Sequence, residues 1–396
     1  MKIAILGFGT VGSGIYEIIK NRGKSLNNGS GIEISRILDI RDFGAHEASH
    51  LFTKNFEDII DDNSISVVCE VIGGVEPAFT FSKKALQAGK SVVTSNKELV
   101  ATRGVELLRI AKENGVSYLF EASVGGAIPV LGPMQKDLAA NKITKIMGIV
   151  NGTTNYILSR MFDEGQSFEN ALNEAQLLGY AERNPAADIE GVDTCRKISI
   201  LSSIAYKKAI KCDYIPTEGI TNIDLEDIKY AEKMDSVIKL IGYSEIYDDG
   251  VYARVSPMII KKSLPLSSAN GVFNAVELWC DAAGEVFFFG RGAGKVPTAS
   301  AVMGDVCEIA SGFVRLSPWC DGDACDIKNP ADITTGVFVR IEKNNCNSLL
   351  KEYPNAKEID IGIEGETGYH IPCITEEKLS QIKAIKFIRT DKSFVI

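Results

Sequence analysis

Residues 175–197, AQLLGYAERNPAADIEGVDTCRK, crowd carboxylates, a tyrosine and basic side chains into a segment broken by Gly179, Pro185 and Gly191. A loop of that kind faces a ligand: carboxylates match a cationic group, and a lysine beside them can carry or take a proton. The run that follows, Thr194 to Ala205, is apolar at Ile198, Leu201, Ile204 and Ala205, which is helical spacing. Asp193 and Lys197 therefore stand i,i+4 on one face of its first turn. By spacing alone this pair reads equally as a surface ion pair worth about a few tenths of a kcal/mol, with Asp193 capping the helix.

A second lysine stands at another telling position. The strand-like run Ser91–Thr94 ends directly before Ser95-Asn96-Lys97, and ligands of parallel sheets gather beyond the carboxyl ends of strands. A cation at a helix start works against the helix dipole, so a purely solvated role for Lys97 is uncomfortable.

The third constellation is Gly7-Phe8-Gly9-Thr10-Val11-Gly12, between a short apolar strand, Lys2–Leu6, and an apolar helix through Ile15, Ile18 and Ile19. In that context the glycines serve a tight turn, backbone approach to a pyrophosphate and close packing of helix on strand, with phosphate at the positive helix end. The second strand, near Ile32 to Ile40, ends beside the expected adenosine ribose. Asp39 could accept the 2'-hydroxyl of NAD and Arg41 could pair with the 2'-phosphate of NADP; both stay open.

These residues need elements to hold them. Strand-like runs at Val67–Gly73, Ser91–Thr94 and Val116–Phe120, separated by helical stretches at about 75–89 and 98–113, predict a parallel, helix-covered sheet. Glu121 then opens EASVGGAIPVLGP, rich in small residues, and strand-like Ile143–Val150 leads into NGTTNYILSRM, where Asn151 to Thr153 supply N–H groups at a helix start. About 206–289 reads as mixed strands and helices, with VYARVSPMII as an alternating strand and IPTEGITNI before a helix. GRGAGKVPTASAVMGDV, residues 290–306, is a second glycine turn with Pro297 near a helix start, an anion- or cofactor-facing cap that includes Gly292. A Pro/Gly/Asp linker follows. The remaining residues show strands near Val337–Glu342, Glu358–Ile363 and Ile385–Arg389 with two short helices, the order of a small ferredoxin-like module.

Composition bounds the partners. The 396 residues carry a net charge of -9, with 45% hydrophobic and 24% charged residues, which is ordinary globular material for two or three domains and argues against a nucleic-acid partner. No apolar run reaches the ~18 residues of a membrane span, and MKIAIL opens the chain without a signal peptide before it, so a cytoplasmic protein with no membrane partner is expected. The nine scattered cysteines suit free thiols in a reducing compartment. Cys320 and Cys325, the close pair, lack partnering ligands and are read as no zinc site. His46-Glu47-Ala48-Ser49-His50 fits the zinc-protease pattern but lacks an apolar helical stripe, and the third histidine, His370, is distant; it is read as accidental.

Ala175, Gly179, Tyr180, Ala181, Asn184, Pro185, Asp188, Gly191, Asp193 and Lys197 fill without a gap the signature of homoserine dehydrogenases, and the chain resembles that family from residue 1 to about 316. The resemblance implies an α/β protein: a Rossmann-type parallel-sheet cofactor domain (1–130, completed by about 290–316), an α+β substrate and dimerisation domain (131–289), and a small C-terminal α+β module (330–396), ferredoxin-like and a degenerate, ACT-like one. It implies NAD(P)-dependent interconversion of L-homoserine and L-aspartate 4-semialdehyde in threonine and methionine biosynthesis, by a homodimer.

Residue by residue, the resemblance makes Lys97 the proton-transfer residue, with Asp193 and Lys197 ordering the hydroxyl or aldehyde oxygen, or with the two lysines exchanged. Glu182 and Asp188 hold the substrate ammonium, Gly152 and Thr153 its carboxylate, and Tyr180 lines the site. Cofactor contacts fall to Gly7, Gly9, Thr10, Val11, Gly12, Arg41, Lys54, Thr94 and Gly292; the Arg41-Asp42 pair and Lys54 tilt the expectation to NADP, with NAD possible. Glu121, by its side chain, and Val124, Gly126 and Ile128, by carbonyls, match the family's site for a monovalent cation such as Na+. Two other classes stand beside this reading. Another Rossmann oxidoreductase of amino-acid metabolism, such as a semialdehyde dehydrogenase, would need a nucleophilic cysteine, for which Cys195 is the candidate in the key segment. A non-catalytic dinucleotide sensor would explain the glycine turn but not the carboxylates and lysines.

Overall fold

The apolar run after Met1 forms β1 (Lys2–Leu6), whose last four residues are buried; a strand covered on both faces reads as a continuous apolar run rather than an alternating one. This description rests on a computed structural model, which describes residues 1–314, 319 and 326–395. Cys320 and Cys325, and part of the linker around them, lie outside the described residues.

After β1 come α1 (Thr10–Arg22), β2 (Glu33–Leu38), β3 (Phe52–Thr53), α2 (Glu57–Ile60), β4 (Ile65–Glu70), α3 (Ala78–Gln87), β5 (Ser91–Thr94), α4 (Lys97–Glu113), β6 (Tyr118–Leu119) and α5 (Leu131–Gln135). The strands make a six-stranded sheet in the order β3-β2-β1-β4-β5-β6, and each neighbouring pair is parallel. The order reverses between β1 and β4, the switch point at which such sheets bind ligands. A later helix, α11 (Lys295–Ala310), packs onto α1: a Cβ on Gly14 would lie 2.7 Å from the Lys295 carbonyl oxygen. Ile3, Ile5, Ile15, Val67, Val93, Val302 and Val306 form the core beneath. This first unit spans Met1–Ile143, Ser199–Cys212 and the stretch that holds α11.

The second unit comprises Thr144–Ile198, Asp213–Phe289 and the carboxy-terminal stretch. The elements wholly or partly within these bounds are β7 (Ile143–Ile149), α6 (Gly152–Glu164), α7 (Phe168–Leu177), α8 (Ala186–Ile189), α9 (Val192–Tyr206), α10 (Leu225–Lys233), β8 (Ser236–Tyr247), β9 (Gly250–Lys261), β10 (Phe273–Cys280) and β11 (Gly284–Arg291). They continue with β12 (Thr334–Glu342), α12 (Cys346–Glu352), β13 (Lys357–Ile359), β14 (Glu366–Thr375), α13 (Glu376–Leu379) and β15 (Lys386–Thr390). One mixed nine-stranded sheet, β11-β10-β7-β8-β9-β15-β12-β14-β13, runs through the unit. The alternation expected of β9 is absent, since its ten central residues are all buried. IPTEGITNI does precede a helix: Asp224 and Asp227 close a capping box on α10.

The tail differs from expectation in two ways. β14 is a strand that the sequence did not suggest, because Gly368 and Pro372 interrupt it; the break is absorbed by a register shift between Thr335 and Val337 on β12. Moreover β15 pairs in parallel with β9, Arg389 opposite Met258, so the tail's strands extend the sheet of β7 to β10. Arg254 on β9 and Arg389 on β15 share Glu218, at 3.0 and 2.9 Å, and both also contact Glu376. Both guanidiniums are buried, and removing one partner of such a network costs roughly 3–5 kcal/mol.

Candidate active site

At the switch point Gly7 has φ +95, a conformation open to glycine, and a Cβ on Gly12 would sit 2.0 Å from the Gly7 carbonyl oxygen. Gly9 is the opposite case: a Cβ there would have nothing within 4 Å. The turn therefore leaves open space in front of the exposed Gly9 and Thr10, at the amino-terminal end of α1. Tight closure behind and free space ahead fit a dinucleotide pyrophosphate. Val11 lies half-buried behind it. Beside the turn, Asp39 grips Arg41 and accepts the Phe8 N–H at 2.7 Å, while Lys54, directly after β3, is exposed.

The carboxyl ends of β4 and β5 carry a polar chain. Fully buried Glu70 accepts the Ile72 N–H at 2.8 Å and the Thr94 hydroxyl at 2.6 Å, and Thr94 Oγ1 accepts the Asn96 N–H at 2.9 Å. Asn96 caps α4 by accepting the Leu99 N–H at 3.1 Å, and its amide donates to the Gly74 carbonyl at 2.6 Å. Lys97 is the first residue of that helix and is half-buried. Burial pushes the Glu70 carboxyl up, against the donors around it that pull it down.

In the glycine-rich segment after β6, Gly125 and Gly126 both have left-handed φ, +74 and +60. Glu121 is buried, and its carboxylate accepts the N–H groups of Val130, Leu131 and Gly132 at 2.6, 2.8 and 2.6 Å. Its own N–H donates to Asp305 at 2.9 Å. Val124 and Ile128 are buried beside it, and a Cβ on Gly126 would lie 2.3 Å from the Gly292 carbonyl, so two separately predicted site residues are neighbours. Glu121, Lys136, Asp137 and Asp305 help line a cavity of about 370 Å³.

The second unit holds the densest charge cluster. Lys197 Nζ lies 2.8 Å from Asp193 Oδ2 and 2.6 Å from the Val150 carbonyl oxygen, and both side chains are buried. The i,i+4 pair thus exists, but as a buried pair rather than a surface one. The Asn151 amide donates to Asp188 at 2.7 Å and to Asp193 at 2.8 Å. Gly152 and Thr153 start α6 and so have no intrahelical acceptor for their N–H groups. The Thr153 hydroxyl donates to the Tyr180 carbonyl at 2.7 Å, and the Tyr180 ring packs 5.0 Å from Tyr156. Glu182 is exposed and stands outside the hydrogen-bonded group. Cys195 is buried in α9.

Three side chains at these sites went unread in the sequence: Asn151, Glu70 and Asp305. Glu70 had a signal, a carboxylate inside the apolar strand VVCEVIG; Asn151 showed only that asparagine favours helix caps. The zinc-protease pattern forms no continuous helix; His46 packs edge-on to Phe8 and Phe52, and Glu47 pairs with Lys20 and Tyr16.

A parallel sheet with a glycine turn at its switch point, joined in one chain to a mixed-sheet unit bearing a buried lysine–carboxylate cluster, defines an oxidoreductase of the nicotinamide-dinucleotide class. Comparison with known proteins sharpens this. The NAD-binding domain of homoserine dehydrogenase matches residues 7–121, and the homoserine dehydrogenase domain matches residues 129–307. A homoserine dehydrogenase from Bacillus subtilis is 35% identical, covering 100% of this chain and 93% of its own length. The crystal structure of a homoserine dehydrogenase from Thiobacillus denitrificans superposes with a TM-score of 0.89 at 32% identity, covering 99% of this chain and 98% of that one. A hyperthermophilic archaeal homoserine dehydrogenase in complex with NADPH gives a TM-score of 0.68 at 28% identity, over 80% of this chain and 99% of that one. The chain belongs to the homoserine dehydrogenase family, NAD(P)-dependent oxidoreductases. Among the described residues no helix is long and apolar enough to cross a membrane.

Proposed function

We propose that this chain catalyses the reversible oxidation of L-homoserine to L-aspartate 4-semialdehyde, with NADP as the preferred cofactor. The nicotinamide ring, when bound, supplies the hydride acceptor. The chain's own residues do the rest. Lys97 takes the hydroxyl proton, a role for which it must be neutral part of the time. Lys197, held by Asp193, orders the alcohol or aldehyde oxygen, and the two lysines can exchange these tasks. Asp188, with the exposed Glu182, receives the substrate ammonium, the free N–H groups of Gly152 and Thr153 receive its carboxylate, and Tyr180 closes beside them. The observation that carries this reading is the cluster in which half-buried Asp188 joins buried Asn151, Asp193 and Lys197.

Gly7, Gly9, Thr10, Val11, Gly12, Thr94 and Gly292 hold the dinucleotide, and Arg41 with Lys54 favours a 2'-phosphate. Saturation of Asp39 by Arg41 and Phe8 supports that preference. Glu121 and the carbonyls of Val124, Gly126 and Ile128 take a monovalent cation such as Na+. Two copies associate through the mixed sheet, a reading supported by edge strand β11, which exposes Phe287 and Phe289. The free state of the seven cysteines among the described residues supports a reducing, cytoplasmic setting.

The test is absorbance of the reduced nicotinamide with purified protein and homoserine, with NADP and NAD in parallel, on wild type and Lys97→Ala. Turnover in wild type, lost by roughly a hundredfold or more in the variant while dinucleotide binding persists, is the expected result. Wild type that binds dinucleotide yet turns over neither pair would overturn it, and full activity in Lys97→Ala would remove the assignment of the base.

A further inference from the structure

We infer that Asn151 is a positioning residue of the substrate site, its side-chain amide clamping the Asp188 and Asp193 carboxylates together at the start of α6. The inference rests on the proposed reading of Asp188, Asp193 and Lys197. The orientation of the amide follows from its other bonds. Oδ1 accepts the Thr154 N–H at 2.8 Å and faces the Thr154 hydroxyl at 3.0 Å, so the opposite end carries the NH2 group. That group has two protons, and each finds a carboxylate: Asp188 Oδ1 at 2.7 Å and Asp193 Oδ2 at 2.8 Å. The amide is fully used.

Two carboxylate oxygens on one nitrogen are no farther apart than the two bonds laid end to end. Asn151 and Asp193 are 5% and 3% exposed, so the repulsion between the carboxylates is poorly screened and something must hold them. Lys197 binds Asp193 directly and also donates to the Val150 carbonyl. Asp188, on α8, is tied to this group through Asn151. The clamp sets the Asp188 and Asp193 carboxylates side by side, a chemistry suited to a ligand's ammonium group. The other good helix caps do not do both jobs. Aspartate would keep the helix cap but turn an anionic oxygen on two others; serine would also keep the cap but has a single proton to give.

Asn151→Ser and Asn151→Asp separate capping from clamping. For each, the thermal midpoint, the dinucleotide Kd, and kcat and KM for homoserine are measured across pH. Asn151→Ser should retain the midpoint and the dinucleotide Kd, which a loss of helix capping or of folding would move; Asn151→Asp should retain the dinucleotide Kd, with a midpoint lowered by the added carboxylate. Asn151→Ser should lose roughly tenfold to a hundredfold in kcat/KM, mostly through KM. Asn151→Asp should lose more at about pH 8 and regain part of the loss toward about pH 6, as one of three crowded carboxylates takes up a proton, a recovery that wild type lacks. Should Asn151→Asp fail to fold, Asn151→Ser decides. Variants within about threefold of wild type, with its pH profile, would overturn the inference. Asp193→Asn serves as the companion: if it retains full turnover, the substrate-site reading itself falls; if it is inactive while the Asn151 variants behave as wild type, only the clamp falls.

Discussion

Asp39 holds Arg41 by two parallel bonds, Nε to Oδ1 at 3.0 Å and Nη2 to Oδ2 at 2.8 Å, while the same carboxylate accepts the N–H groups of Arg41 and Phe8. Arg41 foremost, with those two backbone donors, holds the Asp39 carboxyl well below the usual range, although burial works the other way. A ribose 2'-hydroxyl would have to compete for an acceptor already spent, whereas the Arg41 side chain stays 57% exposed. Arg41→Ala should therefore raise the Kd of NADPH by about tenfold to a hundredfold and that of NADH by less than about threefold, as read by fluorescence titration. An equal effect on both nucleotides would sink the argument.

Gly9 and Gly12 should respond in opposite ways to the same substitution. A methyl group at Gly12 collides with the Gly7 carbonyl at 2.0 Å, whereas at Gly9 it meets no protein atom and φ is an ordinary -78. Gly12→Ala is expected to lower the thermal midpoint, with roughly 1–3 kcal/mol of overpacking. Gly9→Ala should leave the midpoint in place and weaken dinucleotide binding. A Gly9→Ala protein that binds as wild type would show that the open space is not where the cofactor lies.

The Glu70–Thr94–Asn96 chain should matter to both stability and turnover. Replacing Glu70 by leucine strands the fully buried Thr94 hydroxyl, at a cost of about 1–3 kcal/mol, and also takes the acceptor from the part-buried Ile72 N–H, which costs less. Glu70→Gln keeps an acceptor and should be milder. Because Asn96 also caps the helix that begins with Lys97, kcat should fall in step with the loss of the chain. Chemical denaturation paired with kcat for the two variants checks this, and a Glu70→Leu enzyme of wild-type stability would discount it.

His370 on β14 should make the fold sensitive to mild acid. It is buried beside the Thr390 hydroxyl at 3.1 Å, and burial first, then the charges of Lys261 and Lys357, push its pKa down to about 4. A base held neutral in the fold contributes stability that is fully present above its unfolded pKa of about 6.5 and is lost as pH falls from there toward about 4, by at most about 3 kcal/mol. His370→Gln, which keeps a hydrogen-bonding group but does not titrate, should flatten that limb of the stability curve. An unchanged slope in urea denaturation between those pH values would refute it.

Much of this molecule was legible as text. The glycine turn, the parallel strands and the i,i+4 spacing of Asp193 and Lys197 are local patterns: each needs only a few consecutive residues and a fixed period, so a linear reading recovers them. β14 was lost for the same reason, since Gly368 and Pro372 break the local pattern and only pairing with β12 and β13 rescues the strand.

What the sequence determined by itself was therefore chemistry by residue type: a dinucleotide turn, lysines and carboxylates in a signature segment, and an α/β plan. Tertiary structure alone decided how those groups are used. It buried the Asp193–Lys197 pair, engaged Asp39 with Arg41, seated Glu121 on three backbone N–H groups, and brought Asn151 to Asp188 and Asp193 across 37 and 42 residues of chain. Burial and hydrogen-bond partnership are relations between distant segments, set by how the sheets and helices pack, and no window of sequence contains them.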